Sequence, residues 1–349
     1  MSTLWFILVG FMLTAYVVLD GFDLGAGAIQ PFIASSDEDR RMILRSIGPV
    51  WDGNEVWLIA AGGTLFFTFP LLYASAFSGF YLPLIIVLWL LMGRGVSIEL
   101  RGRIANPLWA SFWDALFFIS SALLIIFYGA AMANVLRGVS LAANGTFFLA
   151  LWTDFNPFSK NPGILDWYTI LIALMALGVL TAHGATYVAV KTPDPLSSRA
   201  RRAARVVWGI NVVLLLLGTI ATWIVQPHVS NSFFSRPWGF IFPLLAVVGF
   251  VAMILFNLRQ NDLFSFFSSC LLIAALLASA AFAIYPLMLP AVNPAYSLTI
   301  SNASGSLYGQ TVGLVWWIIG MVLAATYFIL TYRLFWGKIS MTSLQEGYE

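Results

Sequence analysis

Two short stretches place carboxylates three residues apart: Asp20 and Asp23 in DGFD, and Asp52 and Glu55 in WDGNEVWL. At that spacing two side chains share one face of a helix. Both stretches are embedded in apolar sequence long enough to lie in a bilayer. There a charged carboxylate costs at least a few kcal/mol and usually faces a bundle interior or a water-filled path. Two acidic faces at similar depth on neighbouring helices are expected to approach each other. Desolvation and mutual repulsion then raise their proton affinity and let them exchange protons near neutral pH. That is the chemistry of a proton relay. Glu99 and Asp114 border the same region, each with a plainer role available: Glu99 pairing with Arg103 at i,i+4, and Asp114 capping a helix. Asp37, Glu38 and Asp39 read as a solvated loop.

The elements that must hold these acids follow from composition. Of 349 residues, 60% are hydrophobic and 9% charged, against roughly 25% charged in a soluble domain. So apolar a chain is an all-α polytopic membrane protein, and a soluble enzyme is excluded. One cysteine, Cys270, rules out a disulfide framework or a thiolate cluster. The N-terminal run lacks a basic leader and reads as a first spanning helix, not a cleaved signal. Nine segments are long enough to span: about 4–33, 50–72, 77–99, 113–136, 164–190, 206–227, 237–258, 263–289 and 311–336. The gap 137–163 is too mixed to span and is expected to lie along the interface. With the N-terminus outside, 14 of the 17 basic residues fall on the cytoplasmic side, as positively charged loops do. The C-terminus is then inside, and all six acids in or bordering the first four spans lie in the cytoplasmic half. Gly21 and Gly25, and the AAGG strip at 60–63, are small-residue patterns for close helix packing.

A haem held between helices usually needs His or Met ligands at matched depth. The two histidines, His183 and His228, are predicted nearly a membrane apart, and His183 reads as structural. No nucleotide loop, HExxH or CxxC occurs. The 14 Trp and 29 Phe are interfacial or lipid-facing by default, or line a groove for an isoprenoid quinone tail. Two classes fit these residues. One is a non-haem partner subunit in a proton-consuming respiratory complex; the other is a proton-coupled secondary transporter. A transporter tends to show matched broken helices near the midplane, and no matched pair is evident.

The co-ordered motifs favour the first class. GFDLGAG at 21–27, WDGNEVWL at 51–58, SGFYLP at 78–83, GRGVSIELRG at 93–102, FWD at 112–114, HGATY at 183–187 and YPLMLP at 285–290 run through nearly the whole chain. Together they resemble subunit II of the cytochrome bd-type quinol oxidases. The resemblance implies two four-helix bundles plus one peripheral helix. The divisions are then 1–136, an extracytoplasmic loop at 137–163, 164–290, and 291–349 with the ninth helix and a cytoplasmic tail. It implies a similarly folded subunit I that holds the quinol site and the haems, of types b and d, with no cofactor bound directly by this chain. It also implies a complex of the bacterial or archaeal inner membrane that oxidises quinol, reduces dioxygen to water and takes its protons from the cytoplasm. Asp52 matches the family position on a proton pathway along the subunit boundary. Asp20 and Asp23 are the next candidates, then Glu99, with Glu55 beside Asp52 as helper. Some members also carry a structural quinone in subunit II, or a small single-helix accessory subunit.

Overall fold

The computed structural model describes residues 1–339; residues 340–349 of the expected tail lie outside the described part. Twelve helices follow one another: α1 (Ser2–Ile33), α2 (Asp37–Ile47), α3 (Trp51–Thr68), α4 (Pro70–Gly79), α5 (Tyr81–Leu100), α6 (Pro107–Arg137), α7 (Trp167–Lys191), α8 (Leu196–Val225), α9 (Pro227–Ser235), α10 (Ile241–Leu258), α11 (Asp262–Ile284) and α12 (Leu307–Leu334). Eight of them are long and apolar enough to cross a membrane. The ninth expected span, 50–72, is α3 with its continuation into α4. The break falls where Pro70 opens α4 and Phe69 takes φ −134°, ψ 64°, because proline lacks an N–H and disfavours helix in the residue before it.

The local signals that start these helices are side-chain caps. Asn106 accepts from the Leu108 and Trp109 amides, with Pro107 at the first helical position of α6. Asp166 and Thr169 form a capping box at α7, and Ser36 with Asp39 does the same at α2. Asp114 therefore lies inside α6 and caps nothing. Residues 37–39 belong to a helix, not to a solvated loop. The start of α8 at Leu196, earlier than expected, takes in the basic run with Arg199, Arg201, Arg202 and Arg205.

The core is built around α1 and α7, which pack side by side, with α6, α8 and α11 against them and α3 beside α1. Two glycines set that contact. A Cβ on Gly25 would fall 1.9 Å from the Leu180 carbonyl oxygen, and one on Gly184 would fall 2.1 Å from the Gly25 carbonyl carbon. The small-residue pattern of GFDLG thus meets the glycine of HGATY. Gly62 and Gly63, by contrast, have no neighbour within reach of a Cβ. At the end where α1 begins, residues 138–166 fold over the bundle and meet a short antiparallel pair, β1 (Leu287–Leu289) and β2 (Leu298–Thr299). Trp5, Phe69, Val139, Leu149, Leu289 and Leu298 are buried together there. α12 is peripheral; Gln310 is its one buried residue.

Candidate functional site

At the opposite half of α1 the chain buries a small ionic cluster. α1 contributes Asp20 and Asp23, α3 contributes Asn54 and Glu55, and α5 contributes Arg94. Arg94 Nη1 donates to Asp20 Oδ1 at 2.6 Å and Nη2 to Glu55 Oε2 at 2.8 Å. Arg94 and Asp20 are fully buried, while the Glu55 side chain keeps 20% of its surface exposed. The Trp51 ring lies 6.0 Å from the guanidinium carbon. One turn further along α1, Asp23 Oδ2 accepts from Asn54 Nδ2 at 2.8 Å, and Asn54 Oδ1 accepts from the Tyr332 hydroxyl of α12 at 2.9 Å. Asp20 Oδ2, Asp23 Oδ1 and Arg94 Nε have no hydrogen-bond partner among the described residues. One turn before Asp20, the Tyr16 hydroxyl donates to Tyr128 of α6 at 2.8 Å.

The structure brings Asp20, Asp23 and Glu55 together, and it does so through a cation. The expected mutual repulsion between bare acidic faces is replaced by a guanidinium fork, whose two ends match two carboxylates. Asp20 and Glu55 meet on that one cation, and Asp23 is held beside them by the Asn54 amide. Asp52 stays outside the cluster, exposed in the first turn of α3 on the face it shares with Glu55. Glu99 is also exposed, near the end of α5. Its expected pairing with Arg103 is through the backbone instead: Arg103 Nε donates to the Glu99 carbonyl oxygen at 3.4 Å. Asn54 and Tyr332 went unnoticed in the sequence, and Arg94 counted there only among the basic residues of the cytoplasmic side, whereas it is fully buried within α5. Arg94 had a signal, a cation inside an apolar span between two glycines.

A second network braces the Arg-rich end. Asp114 receives Arg101 Nε at 2.6 Å and Nη2 at 3.0 Å, and Arg40 at 3.3 Å. Arg101 also reaches Asp37 at 2.6 Å, and Asp37 pairs with Arg41 at 2.8 Å. Arg199 of α8 holds Asp39 at 2.6 Å. Burial works against ionisation of both aspartates. Even so, Arg101 and Arg41 hold the Asp37 carboxyl below its ordinary value. Hydrogen bonds from Ser35, with the Arg199 charge, do the same for Asp39. At the other end Arg137 is ion-paired with Asp166 and donates to Asn134 Oδ1 at 2.7 Å, fastening the loop that covers the bundle.

The donors for a haem are poorly placed. His183 is buried with both ring nitrogens engaged, Nδ1 with Ser269 Oγ at 2.7 Å and Nε2 with the Val18 carbonyl at 2.9 Å. Because that carbonyl only accepts, Nε2 carries the proton. Phe266 stacks on the ring at 5.1 Å. Coordination would break this packing, and His228 lies in α9, at the covered end. Among the described residues no three His, Cys, Asp or Glu side chains converge as a metal site.

A helical bundle with eight apolar spans and a buried Arg–carboxylate cluster among the described residues defines a multi-pass membrane protein. The sequence profile of the cytochrome bd terminal oxidase subunit II family matches residues 1–335, and the chain belongs to that family. It is 30% identical to the cytochrome bd-I ubiquinol oxidase subunit 2 of Escherichia coli K12, over 99% of this chain and 96% of the relative. It is also 30% identical to the cytochrome bd ubiquinol oxidase subunit 2 of Bacillus subtilis, over 88% of each. The fold is similar to the bd oxidase structure from Geobacillus thermodenitrificans, with a TM-score of 0.72 at 16% identity, covering 96% of this chain and 98% of that one.

Proposed function

We propose that this chain, as subunit II of a quinol:oxygen oxidoreductase, supplies the entrance of the complex's proton route. Subunit I carries the quinol site and the haems of types b and d. The observation that carries the reading is the Arg94 fork, which holds Asp20 and Glu55 on one buried cation within a turn of exposed Asp52. Asp52 collects a proton at the cytoplasmic mouth of α3, and Glu55, on the same face, passes it inward. Arg94 keeps both carboxylates in register and cannot itself give up a proton. Asp20 and Asp23 hold the proton in the interior, and the Tyr16–Tyr128 hydroxyl pair continues the line. Glu99 adds negative potential at the same mouth. Dioxygen reduction consumes the protons in subunit I.

In this reading the N-terminus is outside, the C-terminus is cytoplasmic, and the complex sits in the inner membrane. Two four-helix bundles, at 1–136 and 164–290, flank the shared α1–α7 contact, with α12 as peripheral helix. The proton-coupled transporter reading loses ground, because family membership accounts for the acids without a substrate site. The test is quinol-driven oxygen consumption by the membrane complex carrying Asp52→Asn, with haem content measured in parallel. Full haem with turnover down about a hundredfold or more supports the entrance role, the size typical of losing a positioned proton-transfer group. Normal turnover with full haem removes Asp52 from the route, and lost haem makes it an assembly residue.

A further inference from the structure

A polar pocket lies at the covered end of the bundle, away from the ionic cluster. It measures about 670 Å³ and sits between α9 and the Tyr285–Pro286 link from α11 to β1. His228, Asn231, Ser232, Ser235 and Arg236 line one side and Tyr285 the other. Residues 228, 232 and 236 stand four apart, with 231 and 235 between them, which is one face of a helix. The opposite face fixes that rotation, since Val229 and Phe233 are buried against Phe282 and Ala283. Two atoms at the pocket, His228 Nε2 and Ser232 Oγ, are buried with no hydrogen-bond partner among the described residues. Ser232 is only 3% exposed. A buried polar group left unpaired is costly, so one in a folded chain calls for something that binds it. Arg236 adds a cation. Its Nη2 donates to the Tyr285 carbonyl oxygen at 3.0 Å, and its guanidinium carbon lies 4.7 Å from the Phe282 ring and 5.2 Å from the Tyr285 ring. These contacts hold the charge in place without neutralising it. No Asp or Glu lines the pocket among the described residues. Between residues 195 and 339 the sequence has a single acid, Asp262, and it pairs with Arg201 at 2.8 Å at the far end of α11.

We infer that this pocket binds an oxyanion of the phosphate class, either free phosphate or the headgroup phosphate of a lipid at the adjoining membrane surface. Arg236 supplies the charge and the remaining donors of its planar fork. The Ser232 hydroxyl and the His228 imidazole, in its Nε2–H form, supply hydrogen bonds that are stronger to an ionised acceptor than to a neutral one. A neutral ligand would meet the two unpartnered atoms and leave the cation unmatched, and a cationic ligand would be repelled. A lipid source is within reach because Phe234 at the pocket and Trp238 beside it are exposed, and such aromatic side chains sit at the headgroup level. The site is independent of the proton route, which lies at the other end of the bundle.

The test uses the intact complex, stripped of lipid in a phosphorus-free maltoside detergent. Phenylglyoxal attacks guanidinium groups, and its modification of Arg236 is read on peptides of this chain by mass spectrometry. Inorganic phosphate should slow that modification several-fold, and sodium chloride at the same ionic strength should not. Slowing by short-chain phosphatidylglycerol but not by inorganic phosphate supports the site equally and makes the lipid headgroup its source. Ser232→Ala should lose most of the protection while Arg236 stays reactive and haem content is unchanged. If that variant fails to assemble, the wild-type contrast between phosphate-bearing probes and chloride decides alone. Equal slowing by chloride, or slowing by neither probe, overturns the inference. So does full protection in an assembled Ser232→Ala complex. An Arg236 that is unreactive before any probe is added also overturns it, because a carboxylate of the partner subunit would then hold the cation.

Discussion

Arg94 is the residue on which the buried site turns, because its two terminal nitrogens serve carboxylates from two different helices. Removing one partner from a buried ion pair leaves the others uncompensated, which costs about 3–5 kcal/mol. Arg94→Met is therefore expected to lower the melting temperature of the complex and to lose haem or assembly, read by thermal shift and the haem spectrum. Arg94→Lys should recover part of that loss and not all, since an ammonium is a point charge without a fork. If Arg94→Met were as stable as wild type, Asp20 and Glu55 would have to be uncharged partners. The aspartates of α2 make a second residue-scale prediction. Asp37 and Asp39 are held below the ordinary carboxylate range by Arg101, Arg41, Ser35 and Arg199. Their contribution is thus fully present above the unfolded value, near pH 4, and is lost as pH falls through the lower folded values. Thermal stability of the wild type should be flat from neutral pH down to about pH 5 and fall below it. In Asp39→Asn the acid-side fall should be shallower.

At the scale of elements, the α1–α7 crossing rests on backbone contact. With a Cβ on Gly25 only 1.9 Å from a carbonyl oxygen of Leu180, no rotamer relieves the clash, and the helices must separate. Overpacking of a fitted core costs about 1–3 kcal/mol, and here it also tilts the helix that carries Asp20 and Asp23. Gly25→Leu or Gly184→Leu should lower stability and impair turnover together, whereas Gly62→Leu, at an open position, should leave the chain's own packing intact. Melting curves and oxygen uptake on the same preparations distinguish the two. The capped starts of α2, α6 and α7 carry short polar patterns such as Ser36–Asp39, yet residues 37–39 read as a loop from sequence and the two longer helices are expected to begin elsewhere. The break at Phe69–Pro70 carries its signal in the proline, but the single span expected over 50–72 runs through it. Neither says which helix lies beside which.

For the whole molecule, the asymmetry of basic residues is the argument for the orientation proposed above, since Arg and Lys in short loops resist translocation. Glu38 and Ala143 are exposed at opposite ends of the bundle. With Cys270 replaced by Ser, Glu38→Cys should react with a membrane-impermeant maleimide only in inverted vesicles, and Ala143→Cys only in intact cells or spheroplasts. The reverse pattern would place the Asp52 mouth outside and end the cytoplasmic proton-entry reading. The apolar side chains Val56, Ile59, Leu88 and Trp89 of α3 and α5 are exposed in the single chain.

Composition and spacing alone determined that the chain is a helical membrane bundle. Burying apolar side chains in lipid while satisfying every backbone group leaves few alternatives. They also determined that Asp20 and Asp23 share a face, and Asp52 and Glu55 another, because 3.6 residues per turn is a local property. The ordered motifs gave the family. Tertiary structure alone decided that Arg94, 39 residues beyond Glu55, closes the cluster, and that Tyr332 reaches Asn54 across 278 residues. It also decided that His183 is locked to Val18 and Ser269. These contacts depend on which helices are neighbours and how each is rotated. That choice is made by the glycine contact of α1 with α7 and by the sum of many weak packing terms, none of which a single segment contains.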